Sequence, residues 1–225
     1  MPPKPKTPRV SVNQLAKYLT ATPRGRRTVV LDSKNPPAFK ASWYEAARDA
    51  ISQFARTGFE DERPLEMALD KLAEATPGNE HEQLVIANDI EALESFLNTY
   101  HNIVTDELAI TAAPRSTVKL TYEGVRISVR PEILLQGTYR GNEVAGAVKL
   151  HFGKTRPLTK DSASYVGALV LEATKNSANG SVSRRHCQVY DVLSGVVYPS
   201  PTAVTTRLRD IKAACAEIRL MWEAV

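Results

Sequence analysis

Residues 126–136, RISVRPEILLQ, and residues 143–152, EVAGAVKLHF, decide the fold. Both are apolar and β-branched, and turn signals bound them: Glu123-Gly124 before the first, Arg140-Gly141-Asn142 between the two. Alternate side chains of a strand point to opposite faces. Val144, Gly146, Val148, Leu150 and Phe152 therefore share one face, read as the core, and Ala145, Ala147, Lys149 and His151 share the other. The first strand carries Pro131-Glu132, with Glu132 on the face of Arg130 and Leu134. Strands paired about their centres set Glu132 beside Lys149, seventeen positions further on. A lysine between small residues in an apolar strand needs cover for its stem and a partner for its charge.

Working outward, residues 117–122 add a third β-rich segment. With the other two it predicts an antiparallel meander packed against a helix over 81–100. Ile86, Ile90, Leu93, Leu97 and Tyr100 give that helix its apolar stripe. Earlier helices are expected over 10–19, with Ser11 as N-cap, over 43–56 and over 65–75. Arg24-Gly25-Arg26-Arg27 reads as a basic turn. Downstream come a helix over 161–175, strands over 185–193 and 196–198, and a helix over 203–223. The fold class is α/β: a mixed sheet with a three-strand meander flanked by helices, plus an N-terminal helical region. Residues 1–9 are expected to be a disordered, basic, proline-rich tail, 10–78 a helical region and 79–225 the α/β domain.

The composition is that of an ordinary globule: 225 residues, 43% hydrophobic and 24% charged. No apolar run has the length of a membrane span, the N-terminus lacks a signal-peptide core, and no membrane partner is expected. Cys187 and Cys215 are lone thiols, which predicts a reducing, cytoplasmic setting. Charge is unevenly distributed. Residues 1–40 carry nine bases against Asp32 alone, residues 60–94 eleven acids against two bases, and residues 95–225 sixteen bases against eleven acids. A basic arm and a basic C-terminal half suit nucleic acid, DNA in particular. They suit solvated surface equally. Arg24, Arg26 and Arg27 in the arm, with Arg184 and Arg185 at a strand start, are the candidate phosphate contacts.

The element order, with Pro131-Glu132 and Lys149, resembles the PD-(D/E)XK nuclease superfamily over about residues 80–225, and within it the RecB-like exonucleases. The resemblance implies a restriction-endonuclease-like core and a Mg²⁺-dependent hydrolase acting on phosphodiesters. It places Glu132 at the first metal-binding acid and Lys149 at the lysine that positions water or steadies the phosphorane. The family's middle acid falls on Ala147, which has no carboxylate. Asp161 and Tyr165 occupy the spacing of the RecB-like Gln-x-x-x-Tyr element, matching at the tyrosine alone.

Helix acids join the metal site in some relatives. Glu94 lies about 40° from Ile90 on the helical wheel and Glu91 about 100°, which makes Glu94 the surrogate metal ligand. Glu143 opens its strand and lies too far along it. His81, His101, His151 and His186 have no metal-ligand spacing. Two readings follow. One is a nuclease-like nucleic-acid-binding protein with a degenerate or rearranged Mg²⁺ site, in which Glu132, Lys149 and Glu94 act and Glu132 and Glu94 hold metal. The other is a non-catalytic protein built on the same fold: either a descendant that binds nucleic acid or a partner protein through its basic surfaces, or a structural or interaction protein in which Glu132–Lys149 is only a cross-strand ion pair, worth ~0.2–1 kcal/mol.

Overall fold

The computed structural model describes residues 7–36, 43–154, 157–178 and 180–224. In chain order its elements are β1 (Arg9–Ser11), α1 (Val12–Leu19), α2 (Pro23–Lys34), α3 (Glu45–Arg56), α4 (Arg63–Ala73), α5 (Glu80–Thr99), β2 (Ala109–Ala112), β3 (Val118–Tyr122), β4 (Val125–Val129), β5 (Ile133–Tyr139), β6 (Asn142–His151), α6 (Lys160–Ser177), β7 (Ser181–Asp191), β8 (Val196–Pro199) and α7 (Val204–Ala224). The architecture is mixed α/β, as the patterning predicts. No helix among the described residues is long and apolar enough to cross a membrane.

The local signals act where they stand. Ser11 caps α1 in a reciprocal box with Gln14, and Thr159 caps α6 in the same way with Ser162. Glu123-Gly124 and Arg140-Gly141 adopt left-handed backbone at both positions, with φ of 49° and 78°, then 51° and 78°. Two such residues make the tight turn whose twist matches its flanking strands, so each pair closes a hairpin.

The meander needs correction. β3 and β4 pair antiparallel, but with β1 they form a separate three-stranded sheet of order β1-β4-β3. β5 and β6 belong to a five-stranded sheet of order β2-β5-β6-β7-β8. The stretch read as one strand is interrupted between Val129 and Ile133. Pro131 has no N–H for a ladder and restricts Arg130, so the chain changes sheets there. A second correction concerns the basic turn: residues 24–27 are the opening turns of α2, which Thr22 caps and Pro23 begins. Of the expected disordered tail, residues 1–6 lie outside the described residues, while Arg9 already pairs in β1, parallel to β4.

β6 runs through the middle of the larger sheet and is buried on both faces, not on one. Val148 and Leu150 join Ile133, Leu135 and Tyr190 in a core completed by α3, α4 and α5. Ala147 joins Cys187 and Val189 in a second core with α1, α2, α6, α7 and the inner face of the small sheet. The N-terminal helices therefore complete both cores.

Candidate functional site

The two-residue turn at Arg140-Gly141 fixes the hairpin register. Each step back along β5 is a step forward along β6, from Tyr139↔Asn142 to Ile133↔Val148. Glu132, whose N–H donates to the Val148 carbonyl at 3.0 Å, thus stands opposite Lys149. Both are buried, Glu132 3% and Lys149 7% exposed.

The pair is closed on itself. Lys149 Nζ donates to both oxygens of Glu132, at 2.7 Å to Oε1 and 2.9 Å to Oε2. The Leu150 N–H donates to Oε2 at 2.8 Å, and Arg48 Nε from α3 stands 3.4 Å from Oε1. Three hydrogen bonds and one ion pair thus meet a carboxylate that offers about four lone-pair directions. Burial holds the Lys149 ammonium below its usual pKa; Glu132 opposes that shift, and Arg48 and Arg130 add to it.

A Mg²⁺ ion requires several oxygen ligands. Here Glu132 already accepts three hydrogen bonds, and the other buried acids, Asp89 and Asp191, accept from the Ala47 and Leu158 N–H groups. Ala147 between Leu134 and Cys187 is completely buried and supplies no oxygen. Glu94 is exposed on α5, where its backbone carbonyl accepts from Asn98. Glu91 pairs with Lys154, and Glu143 at the far end of β6 accepts from Thr138. Among the described residues no three His, Cys, Asp or Glu side chains form a metal-holding group. The residues present do not fit the ion.

Asp161 and Tyr165 face α7. Arg207 bridges them, at 2.8 Å to the Asp161 carboxylate and 2.9 Å to the Tyr165 hydroxyl, which also meets Asp210. That network ties α6 to α7.

Beside the ion pair lies a cleft of about 1100 Å³. Its walls come from α1, the start of α3, the end of β6 with the residues after it, and the N-terminus of α6. It is lined by Lys17, Arg48, Arg115, Arg130, His151 and Lys154, with Glu45 and Asp49 as its acids. Arg115 pairs with Asp49, Lys154 with Glu91 and Arg48 with Glu132. Lys17 and Arg130 have no ion pair among the described residues. None of these bases stands out in the sequence, because they come from five separate segments.

The candidate phosphate contacts are scattered. Arg24 and Arg27 are exposed on α2. Arg26 is held 3.3 Å from Glu217 and over the Tyr18 ring. Arg184 donates to the Ser200 carbonyl, and Arg185 pairs with Asp106. Asp106 also stands 2.9 Å from Nε2 of the buried His186, whose Nδ1 is 2.7 Å from Ser183 Oγ. Arg185, then His186, holds the Asp106 carboxyl below its usual pKa. With Gln188 bonded both ways to the Val104 backbone, this cluster pins the segment before β2 onto β7.

Set against known proteins, the chain matches no family model and no curated protein.

Proposed function

We propose that the protein is a non-catalytic, nuclease-like nucleic-acid-binding protein, taking DNA into the basic cleft beside the Glu132–Lys149 pair. The observation that carries this reading is the engaged carboxylate: Glu132 accepts from Lys149 and Leu150, and Arg48 stands in ion-pair range of it. The same contacts hold Lys149 away from a scissile phosphate. What remains for function is the neighbouring cleft, where Lys17 and Arg130 have no ion pair among the described residues and the N-terminus of the long helix α6 favours anions. Arg130 connects the two places, since it lines the cleft and lies two residues before Glu132.

The test is direct. Purified protein is incubated with supercoiled and linear DNA in Mg²⁺, and binding is measured alongside cleavage. Salt-sensitive binding with intact DNA is the expected result. Mg²⁺-dependent cleavage that disappears in Lys149→Ala would return the protein to the nucleases, with Glu94 the first acid to test as the replacement ligand.

A further inference from the structure

We propose that the open face of the three-stranded sheet is a second DNA contact, one that grips the phosphate backbone of a duplex. This rests on the nucleic-acid reading above and extends it to a surface outside the cleft.

Strand alternation builds the face. Val10, Leu120, Val125, Ile127 and Val129 point inward and are buried. The residues between them point the other way. Register then aligns them in two rows across the sheet: Arg9, Arg126 and Thr121 in one, Ser11, Ser128 and Lys119 in the other. Arg9, Lys119 and Thr121 are exposed, and the others half-buried. Every position in both rows is a cation or a hydroxyl. The acid on this hairpin, Glu123, is confined to its turn.

Charge makes the case. Like charges directly opposite on neighbouring strands repel, and Arg9 stands opposite Arg126. Several exposed bases elsewhere have acid partners, Arg63 with Asp61, Arg115 with Asp49, Lys154 with Glu91 and Arg185 with Asp106, while others such as Arg24 and Arg27 stand singly on α2. Arg9, Lys119 and Arg126 have no ion pair among the described residues. A surface that gathers cations, interleaves them with hydroxyl donors and provides no counter-charge is complementary to an external polyanion.

The face also distinguishes kinds of DNA. It presents no aromatic ring in either row, whereas single-strand binders stack bases on aromatic side chains. Cations and hydroxyls suit a duplex, whose bases are inside and whose phosphates are outside. Three adjacent strands make each row roughly 10 Å wide, from the ~4.8 Å strand spacing. One step further along the same side of β4 stands Arg130, which lines the cleft. The open face and the cleft thus join along one strand.

The test uses the triple variant Arg9→Thr, Lys119→Thr, Arg126→Thr in the full chain, threonine being chosen to keep β-propensity. Binding to a 20-base-pair duplex and to a single strand of the same length is followed by fluorescence anisotropy across a salt series. Expected is a log–log salt slope for the duplex shallower by up to ~2.7, about 0.9 for each of three lost phosphate contacts, with a smaller change for the single strand. Ser128→Glu, which sets an acid in the middle of the second row, should also weaken duplex binding and serves if the triple variant does not fold. If the parent binds duplex and both variants match it, this face is not a contact and the cleft reading stands. If the variants lose single strand and duplex equally, the duplex assignment falls. If the parent binds neither DNA, both proposals fall.

Discussion

Lys149 is the residue on which the functional reading turns, and its burial makes the reading measurable. Removing one partner of a buried ion pair costs about 3–5 kcal/mol because the other charge is stranded. Lys149→Met leaves Glu132 with Arg48 and the Leu150 N–H, so a loss near the lower end, about 3 kcal/mol, is expected in urea unfolding. Glu132→Gln combined with Lys149→Met should cost less than the two single changes added together, the mark of a coupled pair. A Lys149→Met protein as stable as its parent would mean that the lysine is held for something other than Glu132. Ala147 supplies the converse. An acid there enters a completely buried position among Leu134 and Cys187. Ala147→Glu should therefore destabilise by about 3 kcal/mol or more, as an uncompensated buried charge does. If added Mg²⁺ restored its melting temperature, that position would lie within metal reach after all.

Among elements, β7 has the tightest fit. Its pairing with β6 shifts register opposite Gly146, so that Ser183 to His186 bulge from the ladder. A Cβ on Gly146 would stand 2.4 Å from the His186 Cβ and 2.5 Å from its carbonyl oxygen. Gly146→Ala should cost about 1–3 kcal/mol, as overpacking does, and loosen the His186–Asp106 contact. That contact predicts a pH dependence. The Asp106 carboxyl is depressed by Arg185 and His186. A depressed acid contributes its stability fully above its unfolded pKa, about 3.9, and loses it as pH falls through the lower folded value. The stability difference between parent and Asp106→Asn should be constant above about pH 5 and shrink in acid. A difference independent of pH would show that the charge at Asp106 adds nothing. This scale also shows what was legible in the sequence. Arg140-Gly141-Asn142 announces a hairpin, and strands paired about their centres bring Glu132 beside Lys149; that the turn proper is Arg140-Gly141, which fixes the register, is seen only in the folded pairing. The break between β4 and β5 is not legible, because VRISVRPEILL keeps its apolar pattern across Pro131. Nor is the pairing of β1 with β4, whose partners are more than a hundred residues apart and lack any local signal.

Across the molecule, the charge blocks of the sequence acquire a geometry. β1, α1 and α2, from the basic first forty residues, pack on the face of the large sheet that carries Ala147 and Val189. α4 and α5, from the acidic stretch 60–94, pack on the opposite face with Val148 and Leu150. The sheet separates cation-rich from anion-rich elements, which orients an approaching polyanion towards the basic side. The cleft opens between the two sets, with Lys17 from α1 and Asn88 from α5 among its walls. The expectation is that Lys17→Ala with Arg130→Ala lowers the salt slope of DNA binding by ~1.8, two phosphate contacts at about 0.9 each. Since neither side chain has an ion-pair partner among the described residues, the melting temperature should stay near the parent's. Arg115→Ala should behave differently. It frees Asp49 within the cleft, so it should weaken binding beyond the loss of one contact, and Asp49→Asn on the same background should recover part of that affinity. Equal losses for Lys17→Ala and for Arg56→Ala, a base that lines only the small cavity beside Glu132, would show a response to net charge alone and would remove the cleft as the binding site.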